Sequence, residues 1–450
     1  MHRPTPHPLA VAIFAGLLQL PAQAALYAVD TGPYALPTGK FPAWYQDTHG
    51  RVLDLCLSKA VSSRVAGAPG APSYMCTLLP TPGVFDDTRP LAFPSNFPDE
   101  AFWFTADAAI VDAARGIDLS FGTAIEAAFG GGDPKDNDQI SFARVRIRVD
   151  VPVAGTYVVT HPYGVDVFDV PAGGRRAINM TRDIGIGSPG DFSGALKGDV
   201  GPFLRSVNGP YSETNPDTGA SERYVGDPNL EEPVTGSPFN TNFVRIEGPN
   251  GIDLRTELFA VSGKLSTVNR PTPLIPQRST YSRHSENGDL RAQQDVFVMA
   301  PPAPATVTLS SQTPSLALGE ANGTGAWYAQ SALNPTLPLT LQVTADNSLA
   351  IATSTPTTTA MPLVDLVTIS RAEYSLASGQ LTLVASSSDE TSPPALTART
   401  GTGTGTLIGS LSGNGAVKTL TTGLSPIPPA RVQVSSANGG SDSEDVVLVP

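Results

Sequence analysis

From Ile140 to Val151 the chain alternates without a break. Ala143, Val145, Ile147, Val149 and Val151 fall on one side, and Arg144, Arg146, Arg148 and Asp150 on the other. A period of two belongs to an extended strand, whose successive side chains point to opposite faces. A strand with one wetted and one apolar face needs a second layer over the apolar one. This run therefore asks for a sheet packed on another element. Composition agrees: 43 Gly and 43 Pro, with only 15% charged residues, suit short strands joined by many turns.

The N-terminus carries Arg3, then an apolar run from about Leu9 to Leu20, then Pro21 and the small-x-small pattern Ala22-Gln23-Ala24. That order reads as a signal peptide over 1–24, cleaved before Ala25. Its apolar run is about a dozen residues, short of the roughly 20 needed to cross a bilayer. No later run approaches that length and no Cys stands directly after the cleavage point, so the expected product has no membrane span and is secreted, extracellular or periplasmic. In such a compartment the even pair Cys56 and Cys76 reads as a disulfide. Closing the intervening Pro/Gly/Ala-rich loop would stabilise by about 3 kcal/mol in the chain-entropy picture. The net charge of -13 repels phosphate backbones and anionic lipid, so nucleic acid is not an expected partner. An extracellular or envelope ligand, glycan or protein, remains.

Along the chain, residues 25–80 form a turn-rich opening segment and 81–265 a main β domain. Pro152 to Gly155 reads as a turn from the alternating strand into Tyr157-Val158-Val159-Thr160, so the two runs are expected to pair as a hairpin. Ala154-Gly155-Thr156-Tyr157 is similar to a tyrosine corner, in which the hydroxyl bonds back to the upstream backbone. Asn269 to Pro276 is Pro-rich and stiff, and 266–274 serves as a linker. Beyond it the chain repeats: Leu341-Gln-Val-Thr-Ala-Asp-Asn347 matches Val432-Gln-Val-Ser-Ser-Ala-Asn438 at an offset of 91. A period near 90 suits one immunoglobulin-like sandwich, giving modules at 275–364 and 365–450. The expected fold is all-β: an N-terminal β-sandwich-like domain followed by two tandem immunoglobulin-like β-sandwich modules.

Several runs resemble those of a group of exported bacterial proteins with a large N-terminal β region and C-terminal immunoglobulin-like modules. They are Trp44-Tyr45-Gln46-Asp47 leading to Asp54-Leu55-Cys56-Leu57, Thr160 to Val165, Gly201-Pro202-Phe203-Leu204-Arg205, and Ser386 to Pro394. The resemblance implies architecture and carries over no activity and no site residues.

Motifs for catalysis are sparse. Gly-x-Ser-x-Gly and His-Glu-x-x-His are both absent, and the mature chain holds only His49, His161 and His284. Gly185-Ile-Gly-Ser-Pro-Gly190 matches a dinucleotide fingerprint in letters only. Pro189, Gly190, Gly194 and Gly198 deny it the helix whose N-terminus would face a pyrophosphate. Asp133, Asp136 and Asp138 place carboxylates in a Gly-rich turn, as a weak calcium site would; Asx-rich turns also form without metal. Arg144, Arg146 and Arg148 make a cationic stripe suited to an acidic glycan, or a wetted face paired with neighbouring carboxylates. His161 and Tyr163 sit in a turn where they either border a pocket or hold the backbone. Trp44-Tyr45 and Trp327-Tyr328 could stack on sugar rings, although alternation sends one of each pair inward.

These features point to a non-enzymatic surface or secreted interaction protein, the N-terminal domain binding a ligand and the modules acting as spacers. An extracellular hydrolase acting on polysaccharide is the alternative. It would use a carboxylate pair within 81–265, from Asp86, Asp87, Asp99, Glu100, Glu231 and Glu232, and needs two carboxyls about 5–9.5 Å apart across a cleft.

Overall fold

The structure, a computed structural model, describes residues 25–310, 315–403, 405–424 and 427–450; the leader read at 1–24 lies outside them. It is all-β. Among the described residues no helix is long and apolar enough to cross a membrane.

Three sheets build the N-terminal domain. The first has six strands: β1 (Leu26–Val29), β2 (Trp44–Asp47) and β3 (Val52–Asp54), then β17 (Lys264–Leu265), β12 (Ser221–Tyr224) and β11 (Tyr211–Thr214). The second has seven, ordered β10 (Arg205–Ser206), β13 (Glu232–Thr235), β16 (Leu258–Ser262), β4 (Glu100–Asp112), β5 (Ile117–Phe129), β6 (Gln139–Val151) and β9 (Gly174–Ile184). The third has four: β15 (Ile252–Thr256), β14 (Val244–Gly248), β7 (Gly155–His161) and β8 (Gly164–Val170).

β6 is the alternating run. Val145, Ile147 and Val149 are fully buried, while Arg144, Arg146 and Arg148 on the other face are half-buried. The apolar faces of all three sheets close on one core. Leu26, Phe41, Tyr45 and Leu53 of the opening segment pack there with Trp103, Phe104, Ile147 and Val159. Its polar atoms are paired, as burial requires: Trp103 Nε1 donates to Pro42 O at 3.1 Å, and Tyr45 Oη donates to Phe192 O at 2.8 Å. Cys56 and Cys76 form the disulfide, with Cα atoms 5.3 Å apart.

The expected β6–β7 hairpin does not form. β6 is already flanked by β5 on one edge and β9 on the other, so no ladder is left for Tyr157. The chain instead crosses to the facing sheet, where β7 pairs with β8 and β14. The crossing is held by the tyrosine corner: Tyr157 Oη donates to Val153 O at 2.9 Å.

Each immunoglobulin-like module is a two-sheet sandwich with its own core. In the first, a five-stranded sheet containing Ile275–Glu286 and Asp289–Met299 faces a four-stranded sheet built on Thr340–Asp346. In the second, four strands including Val367–Ser375 and Gln380–Ser387 face four built on Arg431–Ser436. The repeated segments occupy equivalent inner strands, with Leu341 and Val343 buried in one and Val432 and Val434 in the other. The Pro-rich linker is itself tied down. Arg270–Pro271 pairs in parallel with Ser354–Thr355 of the first module, and the Arg270 guanidinium lies 4.0 Å from the Trp44 ring centroid.

Candidate functional site

The residues singled out in the sequence do not converge. Arg144 is consumed by carboxylates, pairing with Glu126 at 2.8 Å and Asp183 at 2.7 Å. Arg146 and Arg148 form no ion pair among the described residues, and their Nε atoms are buried without a partner. The stripe is thus one spent cation beside two open ones. His161 is fully buried against Phe121. The Tyr163 N–H donates to its Nδ1 at 3.2 Å, which leaves the ring proton on Nε2 to meet Asp166 at 3.1 Å. Both nitrogens serve the turn, so His161 has nothing to offer a ligand. Tyr163 donates to Pro202 O at 3.0 Å and borders a 610 Å³ cavity that also reaches Phe239 and Met299.

Two carboxylates of the calcium expectation have protein partners. Asp136 is taken by Lys40 at 2.5 Å, and Asp138 accepts the Gly131 N–H at 2.7 Å. Among the described residues no three His, Cys, Asp or Glu side chains gather as a ligand set. The aromatic pairs divide as follows: Trp44 and Tyr45 are both buried, whereas Trp327 is buried and Tyr328 exposed beside Phe297.

Of the carboxylates named from the sequence, Asp87 accepts from Tyr74 Oη at 3.1 Å and Asp99 from Thr81 Oγ1 at 2.9 Å. Asp86 closes its own turn through Thr88, and Glu232 accepts from Ser206, Asn208 and Tyr211 while Glu231 faces solvent. Burial pushes Glu126 up to about 8, with Arg144 opposing. Asp107, crowded by protein yet open to solvent, is raised to about 6. Asp107 sits opposite Gly122, four residues along β5 from Glu126. At about 3.4 Å per residue that is roughly 14 Å along the strand, more than the about 5–9.5 Å such a pair needs.

A different site emerges where the N-terminal domain meets the first module. The turn between β2 and β3 runs Thr48-His49-Gly50, and its tip docks on the module: Asn347 Nδ2 donates to His49 O at 3.2 Å. Gly50 has φ +86°, and a Cβ there would stand 3.1 Å from Asn347 and 3.3 Å from Pro273. The turn thereby places Arg51 in the wall of a 530 Å³ cavity that is also lined by β3, β17, β12 and Ala350 to Thr353 of the module. Arg205, from β10, and Arg223, from β12, line it as well. A side pocket of 110 Å³ opens from the same place and shares Arg51, Arg205, Ala350 and Ile351.

Asp47 stands behind the arginines, fully buried, and burial pushes its carboxyl up. Its oxygens accept the N–H groups of Arg51 at 2.8 Å and Phe203 at 2.9 Å. Burial lowers His49 to about 3, helped by the charges of Arg51 and Arg205, so it stays neutral. None of Arg51, Arg205 and Arg223 was singled out from the sequence. The available signal was a cation abutting an apolar strand, Arg51 before Val52-Leu53 and Arg205 after Phe203-Leu204.

No family model and no curated protein matches the chain. Among solved structures it is similar to the ectodomain of the teleost fish polymeric Ig receptor, at 6% identity over 38% of this chain and 98% of that one, with a TM-score of 0.21. It is also similar to a tetra-tandem repeat in the extending region of a large adhesion protein, at 11% identity over 77% and 94%, TM-score 0.16. A polysaccharide lyase follows at 10% identity over 77% and 46%, TM-score 0.15. Overlaps this low carry no argument about fold or function.

Proposed function

We propose that the protein is an exported, non-enzymatic interaction protein that holds its ligand in the cavity between its N-terminal domain and its first immunoglobulin-like module. The observation that carries this reading is the 530 Å³ cavity whose walls come from both bodies, within the size range of small-molecule sites. The Cys56–Cys76 bond supports an oxidising compartment. On this reading the first module is a wall of the site, and only the second is a spacer.

The test uses immobilised mature chain exposed to envelope and culture-medium polysaccharide and protein fractions, with new reducing ends assayed in parallel. Ala350→Trp fills the region common to the main cavity and its side pocket. The expected outcome is a retained component whose binding falls at least about tenfold in that variant, a loss of about 1.4 kcal/mol, without new reducing ends. Undiminished retention by Ala350→Trp, or the appearance of new reducing ends, would overturn the proposal.

A further inference from the structure

The junction cavity carries a charge that its own protein leaves unbalanced. Four cations line it, Arg51, Arg205, Arg223 and Lys264, against the two carboxylates Asp54 and Glu222. Lys264 lies 3.9 Å from Asp54 and 3.4 Å from Glu222. Glu222 further accepts from Tyr224 Oη at 2.7 Å and from Asn215 at 3.2 Å. The negative charge is thus occupied, while none of the three guanidinium groups forms an ion pair or hydrogen bond with another described residue.

Arg51 and Arg205 sit where the main cavity and its side pocket meet. Burial brings Arg205 down to about 10, the charge of Arg51 adding to the effect and Asp47 opposing it. Burial likewise lowers Arg51. A guanidinium keeps its proton at neutral pH in proteins. Two half-buried like charges whose one nearby counter-charge is the buried Asp47 carboxyl behind them are costly in the free protein, and an entering anion lowers that cost.

The chemistry of the walls narrows the ligand. A guanidinium fork matches the two oxygens of a carboxylate or phosphate. Ser221, Ser266, Thr267 and Thr353 add hydroxyls, and among the described residues no aromatic side chain lines the cavity. Recognition there rests on charge and hydrogen bonds, without a stacking platform.

We propose that Arg51 and Arg205 clamp the oxyanion of a small hydroxylated ligand bearing a carboxylate or a phosphate, with Arg223 at the rim. This rests on the reading of the cavity as the ligand site.

Calorimetry and thermal unfolding of the mature chain at low ionic strength, with glucuronate, glucose 6-phosphate and glucose as probes, test it. One of the two anionic probes should bind and raise Tm, which tells carboxylate from phosphate, while glucose does neither. The double substitution Arg51→Gln/Arg205→Gln should weaken that binding at least about 100-fold. Arg205→Lys, which keeps the charge and loses the fork, should weaken it about tenfold and serves if the double substitution fails to fold. Arg148→Gln, outside the cavity, should leave binding unchanged. Equal binding of glucose, no response to any probe, or binding lost in Ala350→Trp but intact in the double variant would each overturn the oxyanion clamp and leave the cavity as the site. Probe binding that survives Ala350→Trp would overturn the site itself.

Discussion

Glu126 shows what burial does to a single side chain. It is 1% exposed, and its carboxyl is raised to about 8 against an ordinary value near 4.3. The folded chain therefore holds this proton more tightly than the unfolded chain. Its contribution to stability is fullest below the ordinary value and is lost as pH rises through about 8. Urea unfolding between pH 5 and 9 should show that decline, and Glu126→Gln should flatten it; a wild type already flat over that window would contradict the assignment. Alternation alone put Arg144 on the wetted face, and there it was found. Its partners Glu126 and Asp183 lie on two other strands, and no local pattern announces them. The same limit hid Arg51 and Arg205, which only the closure of two sheets and a module brings together.

At the scale of elements, the passage from β6 to β7 separates local from non-local information. The tyrosine corner was legible in Ala154-Gly155-Thr156-Tyr157, because its bond spans four residues. The choice of partner strand was not, because β9 claims the edge of β6 from a distant part of the chain. Tyr157→Phe should cost about 1 kcal/mol in chemical unfolding, the net worth of one hydrogen bond. Gly155→Ala should cost more, about 1–3 kcal/mol: the residue has φ +145°, and a Cβ would stand 2.4 Å from Pro249 Cγ. If Gly155→Ala proves the milder of the two, the corner is not under the constraint described. The linker divides in the same way. Its prolines announced stiffness, while its pairing with Ser354–Thr355 depends on a module that follows it.

At the scale of the molecule, the two modules meet at a fixed joint. Asp389 is fully buried and bound by Arg283. It accepts from Tyr281 Oη at 3.0 Å, and Asn438 Nδ2 donates to that same hydroxyl at 2.9 Å. Burial alone would raise the Asp389 carboxyl, but Arg283, the Ser392 N–H and Tyr281 outweigh it and hold it below the usual range. The joint is therefore at full strength above pH about 4, the ordinary value, and weakens as pH falls through the depressed one. Asp389→Ala should remove about 1.5–3 kcal/mol from the joint and broaden the size distribution seen by small-angle scattering at neutral pH. An unchanged scattering profile would mean that other contacts hold the modules in line. The period near 90 was visible in the sequence because inner strands repeat their apolar letters. The joint was not, since Tyr281, Asp389 and Asn438 each look like ordinary surface residues in their own windows.

Each module also closes in the same manner. Val364–Asp365 pairs in parallel with Thr280 and Tyr281 in the first, and Val447–Val449 pairs in parallel with Glu373 to Ser375 in the second. A gene that duplicated one such unit in frame would hand the new copy the same exit strand and leave the arginine-lined cavity untouched. Length can thus grow in whole-module steps, independently of the N-terminal domain.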